Sequence, residues 1–450
     1  MKFGGTSVAD ADRIRSVAEI VGRARDRAPL VVVSALAGVT DTLERLVGAA
    51  LGGDPDAVEP LLADLERRHR WAMSGLEQTA KERHHLSVEI DGLFDQLRQK
   101  LRSIRILGER SPRTADAILA TGETLSSTIV TRALVEAGQP ATWVDPRRVV
   151  VTDDRFGQAE PNAAGVAERA RRLLEPLIRG GRIPVLGGFV GATVGGETTT
   201  LGRGGSDTSA AVLGAALGAD EIQIWTDVDG MMSADPRLVP DARPIERLSF
   251  AEATELAFYG ARVLHPDCLA PAVRRGIPLR IRNSLRPAAP GTVVVGEVDS
   301  TEPERVVSVA SRAGVRTVSV VNRKMRPDAA FAAAVLAVFG ECSVVPELVV
   351  ASELAVHVVG SSSGDHGPLV AALERLGRVR VEPRRAVICI VGSALRVGAE
   401  RSRAVCALAA WQPELLALGS SGASLAAVVE EDRLIGAVRD LHRRYLEGAA

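Results

Sequence analysis

Runs of consecutive apolar residues alternate with longer stretches of helical pattern through the first part of the chain. Such runs are typical of strands buried on both faces of a parallel sheet. Stretches 10–28 and 124–137 repeat apolar residues at helical spacing, and the charged segment 56–107 has the same spacing, which predicts a helical excursion. The alternation favours a three-layer α/β domain over residues 1–297. The predicted strands are 30–34, 183–186, 222–225 and 277–281.

The pattern changes after residue 302, where short alternating strands replace the continuous apolar runs. Helical segments at 329–339 and 400–411 lie between these strands, so the order strand–helix–strand–strand occurs twice. This order predicts two small ferredoxin-like α+β modules. The turn at 296–304 is a candidate linker. The modules contain no catalytic motif, and we expect them to sense a ligand or to mediate assembly.

The chain has 450 residues, of which 46% are hydrophobic, enough for about two or three domains. Its formal net charge of -1 gives no broad positive field, so we expect neither nucleic acid nor a membrane as partner. No apolar run approaches the ~20 residues of a transmembrane helix. The cysteines are far apart and form no CxxC pair, which argues against a zinc site and a disulfide framework. We expect a cytoplasmic protein with no metal site of its own.

The segment Lys2–Ser7 places two glycines beside a lysine, just before a predicted helix. Gly4 and Gly5 allow a tight turn whose N–H groups face an anion, and the helix N-terminus adds positive potential. The chain uses arginine at nearly all its basic positions, so Lys2 is a candidate contact for phosphate oxygens. The alternative is an ordinary terminal turn with an exposed lysine.

The segment Gly202–Ser209 also precedes a helix of small residues. Its glycines, its hydroxyls and Asp207 suit a phosphate or a metal-bound phosphate, although an acid or serine before a helix is also a common N-cap. Arg203 stands among three glycines, where a structural role is harder to find. It is a candidate bidentate partner for a substrate carboxylate.

Weaker candidates lie at other strand and helix ends. The loop Ser34–Thr40 follows an apolar strand, where ligands of open α/β sheets bind. Glu123 precedes a predicted helix, and it is either an N-cap or a contact for an ammonium group. Thr226 and Asp227 suit a nucleotide ribose or a metal–phosphate group better than calcium, because the other ligands of a calcium loop are absent. The sequence has no P-loop, protein-kinase or dinucleotide-binding signature.

Taken together and in order, these motifs resemble the aspartokinases of the amino acid kinase family. The resemblance covers essentially the whole chain and rests on the segments KFGGTSV, VVVSALAGVTD, ATGETLSS, GGFVGAT, TTTLGRGGSDTSA, WTDVDGMMSADPR and GARVLHP. It implies a carbamate-kinase-like αβα kinase domain followed by tandem ACT domains. The first ACT domain would cover 305–384, and the second 385–450 with a strand from about 305–313. The chain is most similar to the monofunctional lysine-sensitive type.

The resemblance implies transfer of the γ-phosphate of ATP, with Mg²⁺, to the β-carboxylate of L-aspartate. The product would be 4-phospho-L-aspartate, for lysine, threonine and methionine synthesis. Lys2 and Asp207 would be the catalytic residues. The implied aspartate-binding residues are Ser34, Thr40, Glu123 and Arg203. The implied nucleotide-binding residues are Gly4, Gly5, Thr226, Asp227, Arg237 and Arg262.

Three positions depart from the family pattern. Only Met1 precedes the lysine of the first motif, so either the first strand is short or the true start lies upstream. Arg262 stands where the family has a nucleotide-contacting lysine, and Met232 where a tyrosine commonly touches adenine. Arginine and lysine are not interchangeable at a tight phosphate contact, so Arg262 could change the affinity for ATP. Met232 could change it as well, because it would contact adenine in place of the tyrosine.

The resemblance also implies feedback regulation at the first ACT domain, with lysine as the expected effector, and a homodimer or homotetramer formed through the ACT domains. Glu347 stands where the lysine-sensitive type has an aspartate, so we expect lysine inhibition to be weak or altered. The implied effector-binding residues are Met325, Phe331, Glu347, Ser352 and Glu353.

Two other functions stay open on the sequence alone. Another kinase of the same fold, acting on acetylglutamate, glutamate or uridylate, would explain the glycine loops but not the tandem ACT domains. A catalytically weakened amino-acid sensor would explain the short first strand and Arg262. Such a sensor has no need to keep Lys2, Arg203, Glu123 and Asp207 together.

Overall fold

The structure is a computed structural model that describes residues 1–53, 55–76, 79–259, 264, 266–296, 304–324, 329–342, 344–362, 364 and 366–447. The chain forms two compact units. The first unit comprises Met1–Met231, Glu246–Phe250 and Arg262–Val298. The second comprises Met232–Ile245, Ala251–Ala261 and Asp299–Ala450. No helix in the described ranges is long and apolar enough to cross a membrane.

The strands described in the first unit include all four predicted ones. They are β1 (Lys2–Phe3), β2 (Val31–Val33), β3 (Ala141–Trp143), β4 (Ile183–Gly187), β5 (Val190–Ala192), β6 (Thr198–Thr200), β7 (Ile222–Thr226), β8 (Arg247–Ser249), β9 (Leu279–Asn283) and β10 (Thr292–Val295). One sheet has the order β3-β4-β2-β1-β7-β9-β10-β8, and β5 pairs separately with β6. The neighbours in the large sheet are parallel, except for the antiparallel pair β9–β10.

The short strand β1 lies in the middle of this sheet. Its Lys2 is in register with Val32 of β2 on one side and with Ile224 of β7 on the other. Parallel strands end at a common edge, so the loops that follow β1, β2, β4 and β7 lie next to one another. The sheet therefore collects the glycine-rich and polar segments of the sequence at its carboxyl edge.

The helices complete the first unit. Helix α5 packs against β2, β3 and β4, whereas α8 packs against β1, β2 and β7. Ser111 begins α5 by accepting a hydrogen bond from the Thr114 N–H, and a proline follows as the first helical residue. The helices of this unit are α1 (Ala11–Arg23), α2 (Val39–Leu51), α3 (Pro55–Ser74), α4 (Ala80–Leu107), α5 (Pro112–Glu136), α6 (Ala163–Leu173), α7 (Glu175–Arg179), α8 (Gly205–Leu217) and α10 (Pro266–Arg275). Helix α9 (Phe250–Tyr259) precedes α10 in sequence, but after Phe250 it belongs to the second unit.

The second unit is built on an antiparallel sheet with the order β12-β13-β11-β14-β16-β15. Its strands are β11 (Ser308–Asn322), β12 (Leu348–Ala351), β13 (Ala355–Ser361), β14 (Gly377–Val391), β15 (Leu415–Leu418) and β16 (Ser424–Glu430). Its further helices are α11 (Ala329–Glu341), α12 (Gly367–Glu374), α13 (Gly398–Ala409) and α14 (Leu434–His442). The order strand–helix–strand–strand thus occurs twice, as the sequence predicts.

Strand β11 takes part in both halves of this sheet. Its beginning, 308–312, pairs with 387–391 of β14, and its continuation, 315–321, pairs with 355–361 of β13. The register shifts between the two parts. The exact limits of the two ACT domains remain a prediction.

The segment Met232–Ile245 follows β7 in sequence but packs within the second unit. The Ser233 hydroxyl lies 2.9 Å from Nε2 of His442, and the Leu238 carbonyl accepts a 2.8 Å hydrogen bond from Nε of Arg439. Ala234 and Val239 are buried in the core that also contains residues of α13 and α14. Sequence periodicity does not indicate this exchange, because the segment lacks the pattern of a strand or a helix.

Helix α9 likewise supplies two acids to the second unit. Glu255 accepts hydrogen bonds from the hydroxyls of Ser421 (2.9 Å) and Ser424 (2.8 Å), which flank the turn between β15 and β16. Glu252 accepts the N–H of Ser393 at 3.0 Å. Both glutamates are buried. They tie α9 to the second half of the antiparallel sheet.

Candidate active site

A buried ion pair lies at the carboxyl edge of the parallel sheet. Nζ of Lys2 is 2.6 Å from Oδ1 of Asp207, and the two side chains are only 10% and 12% exposed. Lys2 reaches this position from the central strand, whereas Asp207 lies in the first turn of α8. The N-terminus of α8 adds positive potential beside the pair. A phosphate group would meet a fixed cation here, held in place by its carboxylate partner.

The turn after β1 is held by its neighbours. The Gly4 N–H donates to the Trp225 carbonyl at 3.0 Å and so continues the sheet, contrary to the expectation that it donates to a nucleotide. Gly5 begins a short 3-10 turn, within which its own N–H has no acceptor. A Cβ on Gly5 would lie 2.7 Å from the Ala35 carbonyl oxygen, so only glycine allows this approach.

Glu123 lies in the middle of α5, so the alternative that it is an N-cap is wrong. Its Oε1 accepts the N–H of Ala35 at 3.2 Å, while Oε2 is buried and has no hydrogen-bond partner among the residues that the structure describes. Burial raises the pKa of Glu123 to about 8. A buried carboxylate with one vacant oxygen can accept an ammonium group, and such a cation would restore its ionised form.

The loop after β2 runs beside Glu123. Ser34 follows the strand directly, and its carbonyl accepts a 2.7 Å hydrogen bond from the Ser126 hydroxyl. Thr40 lies in the first turn of α2. Both Ser34 and Thr40 are half-buried. The loop therefore places two hydroxyl groups near the edge of the sheet where Lys2 lies.

Arg203 stands at the tip of a turn between β6 and α8. It is flanked by Gly202 and Gly204, whose φ values of 72° and 68° are left-handed, a conformation that favours glycine. The Gly205 N–H closes the turn on the Gly202 carbonyl at 3.0 Å. The guanidinium of Arg203 is exposed and forms no ion pair with any residue that the structure describes. It is available for a carboxylate from solution.

Residues that the sequence reasoning did not select complete this edge. A Cβ on Gly188, just after β4, would lie 2.7 Å from Cβ of Ser206, so the loop and the start of α8 are in direct contact. Phe189 adopts a left-handed φ of 64°, which is costly for a bulky side chain. Its N–H donates to the Ser209 hydroxyl at 3.0 Å, which helps to hold this conformation. Phe189 belongs to the motif GGFVGAT, but nothing in the sequence indicates that its φ is positive.

The loop after β7 carries the predicted nucleotide contacts of the first unit. The Thr226 hydroxyl donates to Asp227 at 3.2 Å, and the Asn283 side-chain amide donates to Oδ1 of Asp229 at 2.8 Å. Arg286 pairs with the other oxygen of Asp229. Asp227 is exposed and Thr226 half-buried, so both remain accessible to a ligand.

The other two predicted nucleotide contacts lie elsewhere. Arg237 belongs to the second unit, where its guanidinium forms a bidentate pair with Asp235 at 2.6 and 3.0 Å. Arg262 lies outside the described residues. Within the first unit, the structure therefore brings together Lys2, Asp207 and the loops after β1, β2 and β4.

The predicted effector residues lie in the second unit. Glu347, directly before β12, pairs with Arg312 of β11 at 3.0 Å, and burial raises its pKa although Arg312 lowers it. Ser352 and Glu353 are exposed in the turn before β13. Phe331 is half-buried in α11, and Met325 lies outside the described residues.

Comparison with known proteins places this geometry in a family. Residues 1–283 match the model of the amino acid kinase family. The lysine-sensitive aspartokinase 3 of Escherichia coli is 32% identical, over 99% of this chain and 98% of that protein. The crystal structure of E. coli aspartokinase III in complex with aspartate and ADP superposes with a TM-score of 0.85 at 33% identity, covering 98% of each chain. The structure of the same enzyme with lysine and aspartate gives a TM-score of 0.83 at 33% identity, covering 99% of this chain and 98% of that one.

These likenesses extend over both units, so the fold predicted from the sequence is confirmed, namely an amino acid kinase domain followed by ACT domains. A kinase of the same fold without ACT domains, which stayed open on the sequence alone, does not account for a match of this length. The chain belongs to the aspartokinases of the amino acid kinase family.

Proposed function

We propose that the chain transfers the γ-phosphate of ATP to the β-carboxylate of L-aspartate and forms 4-phospho-L-aspartate, the first step toward lysine, threonine and methionine. The observation that carries this proposal is the buried pair of Lys2 and Asp207, set between two glycine-rich turns at the carboxyl edge of the sheet. The solved structure of an E. coli relative with aspartate and ADP supports it.

The chemistry requires alignment and charge stabilisation more than proton transfer. A side-chain carboxylate has an unperturbed pKa near ~3.9, so the attacking group is already ionised at neutral pH and needs no general base. Lys2 would stabilise the negative charge on the transferring phosphoryl oxygens. Asp207 would hold the ammonium of Lys2 in place, because the two groups already form a buried pair.

The substrate would bind through both of its α-groups. Arg203 would grip the α-carboxylate with its exposed guanidinium, and Glu123 would take the α-ammonium on its vacant oxygen. Ser34 and Thr40 would orient the β-carboxylate by hydrogen bonding. A cation at Glu123 is favourable because the site buries an otherwise unpaired carboxylate oxygen.

The nucleotide would be held by the Gly5 turn and by Thr226 and Asp227. An Mg²⁺ ion would be carried by phosphate oxygens and water. Such an ion would neutralise charge on the phosphates. Asp207 and Asp227 are the carboxylates available to it near this edge.

A direct assay tests the reaction. Purified protein is incubated with ATP, magnesium, L-aspartate and hydroxylamine, and aspartyl hydroxamate is followed. We expect hydroxamate that depends on both substrates. A protein that binds aspartate but forms no hydroxamate and releases no ADP would contradict the proposal and favour the weakened-sensor alternative.

We also propose feedback inhibition by lysine at the first ACT domain, with the chain acting in the cytoplasm as a homodimer or homotetramer. The E. coli relative is lysine-sensitive, which supports the choice of effector. In this chain Arg312 already occupies the carboxylate of Glu347, which is the group expected to bind the amino group of lysine. Lysine must therefore displace an internal cation, and inhibition should be weak.

Removing this competitor should strengthen inhibition. We expect Arg312→Ala to lower the lysine concentration for half-inhibition about tenfold, since a charge-assisted contact is worth roughly 1.5–3 kcal/mol and part of that is regained. Arg323→Ala, which removes an exposed arginine of the same unit, is the control. Dose–response curves with lysine and with threonine provide the measurement. Unchanged lysine inhibition in Arg312→Ala would argue against Glu347 as the effector's partner.

A further inference from the structure

One helix carries two buried acids that face the substrate-binding loops. Asp116 and Glu123 both lie in α5, seven residues apart, which places them about two turns apart on the same side of the helix. Both side chains are almost completely buried, at 1% and 3% exposure. Glu123 contacts the loop after β2, whereas Asp116 contacts the region before the Arg203 turn.

Asp116 uses its carboxylate entirely on that region. Oδ2 accepts the N–H of Gly157 at 2.9 Å and the N–H of Thr200 at 2.8 Å, and Oδ1 accepts the Thr200 hydroxyl at 2.9 Å. Asp116 forms no ion pair with another side chain in the part of the chain that the structure describes. Burial raises its pKa, while these three hydrogen bonds act in the opposite direction. Burying a carboxylate is costly, and here the cost is offset by hydrogen bonds from Gly157 and Thr200. These bonds hold the backbone of both residues in a fixed position.

The two anchored segments are the ones on which the Arg203 turn rests. Thr200 ends β6, three residues before Arg203, and its carbonyl accepts the Ala159 N–H at 2.9 Å. A Cβ on Gly202 would lie 3.2 Å from the Gly157 carbonyl oxygen, so the turn sits directly on that loop. Glycines on both sides of Arg203 make the turn intrinsically permissive. Its position must therefore be set by its anchors.

We propose that Asp116 is a positioning residue for recognition of the substrate's α-carboxylate. Through Thr200 and Gly157 it fixes the Arg203 turn to α5, the helix that also carries Glu123. The spacing of two acids along one rigid helix then sets the distance between the groups that hold the α-carboxylate and the α-ammonium of an amino acid. This inference rests on the roles proposed above for Arg203 and Glu123.

Two truncated substrates separate the two contacts. β-Alanine is L-aspartate without its α-carboxylate, and succinate is L-aspartate without its amino group. In Asp116→Asn, a neutral amide replaces the carboxylate: its oxygen accepts the two backbone N–H groups more weakly, and its NH2 group can no longer accept the Thr200 hydroxyl. The anchor is therefore weakened. We expect KM for L-aspartate to rise about 10- to 100-fold, as for an approximately 1 Å displacement, with KM for ATP within twofold of native. The preference for aspartate over β-alanine should fall by a similar factor, while the preference over succinate stays.

A matched pair keeps the test valid if Asp116→Asn folds poorly. Thr200→Val keeps the shape but removes one of the three hydrogen bonds, and it should show the same pattern at about three- to tenfold. Thr200→Ser keeps the hydroxyl and should behave as native. Equal losses against β-alanine and succinate, or equal rises in KM for aspartate and ATP, would overturn the inference, because they indicate general loosening. So would native kinetics in Asp116→Asn and Thr200→Val.

Arg203→Ala distinguishes this inference from the proposed function. If the native chain forms hydroxamate and Arg203→Ala loses the preference over β-alanine, the role of Arg203 holds. Unchanged discrimination in Asp116→Asn would then overturn the positioning role of Asp116 alone. Unchanged discrimination in Arg203→Ala would overturn the role of Arg203, and the inference with it.

Discussion

Replacing Lys2 with alanine is expected to lower kcat by about 10²- to 10³-fold while KM for ATP and aspartate changes little. The reason is that, in the proposed reaction, the ammonium would act on charge that develops during transfer, and loss of one such contact costs about 3 to 4 kcal/mol of barrier. ADP release under saturating substrates measures kcat, and hydroxamate formation confirms the acceptor. Lys81→Ala, an exposed lysine in α4, is the matched control.

The variant also leaves the Asp207 carboxylate buried without its cation, so it should be less stable. The double variant Lys2→Ala with Asp207→Ala removes both charges and should recover much of that stability without recovering kcat. Thermal unfolding of the single and double variants separates the two effects. If the double variant regained activity together with stability, Lys2 would have a structural role and the proposed chemistry would be wrong.

Replacing Glu123 with glutamine is expected to weaken aspartate binding and to stabilise the protein at the same time. The pKa of Glu123 is raised to about 8 by burial, so near neutral pH the folded protein without substrate keeps a proton on this carboxyl group. Glutamine has the same shape and no charge to bury, but it cannot neutralise an ammonium group. We expect KM for L-aspartate to rise by about 10- to 100-fold, in keeping with a buried charge-assisted contact of roughly 1.5–3 kcal/mol.

The raised pKa of Glu123 also predicts how the stability of the native protein changes with pH. In the unfolded chain Glu123 ionises near its ordinary pKa of 4.5, whereas the folded protein keeps the proton up to about pH 8. The folded state thus binds more protons between these values, so native stability falls as pH rises through that window, by up to about 1.4 kcal/mol per pH unit. Glutamine removes this slope. The stability advantage of Glu123→Gln should grow from pH 5 to pH 8 and then remain constant.

Substrate affinity should move in the opposite direction. An ammonium group needs the ionised carboxylate, so native KM for L-aspartate should fall as pH rises from 6 to 8, and in Glu123→Gln it should be independent of pH in this range. Glu44→Gln, an exposed acid in α2, is the control for both measurements. A pH-dependent KM that survives in Glu123→Gln would show that another group titrates on substrate binding.

The local pattern of apolar residues and glycines predicts the buried strands and the tight turns of the first unit. The strands at 31–33, 183–187 and 222–226 are buried on both faces, which produces the continuous apolar runs seen in the sequence. The strand at 279–283 instead alternates buried residues with half-buried arginines. The two glycine-rich turns are visible because tight turns before helices need glycine. The resemblance then supplies partners that no local pattern gives, such as Asp207 for Lys2.

Other features depend on contacts between distant residues and leave no local signal. Asp116 resembles any acid in a helical stretch, because its partners Gly157 and Thr200 are 41 and 84 residues away. The sequence pattern predicts a helix that starts at 124, so it puts Glu123 just before the helix. Ser111 and the proline after it begin the helix earlier, and sequence periodicity weakens where a helix is buried on most sides.

The packing of 232–245 and 251–259 within the second unit limits how such enzymes can be rearranged. A chain ended at residue 297 would keep Ala234 and Val239 but lose α13 and α14, whose residues share their core. Glu255 would lose both serines that satisfy its carboxylate. Recombination that exchanges the C-terminal half between relatives would therefore break these contacts. They would be kept only if the two internal segments, 232–245 and 251–259, were exchanged as well. The second unit is therefore encoded by three separate stretches of the gene, and all three would have to be exchanged together to keep its core intact.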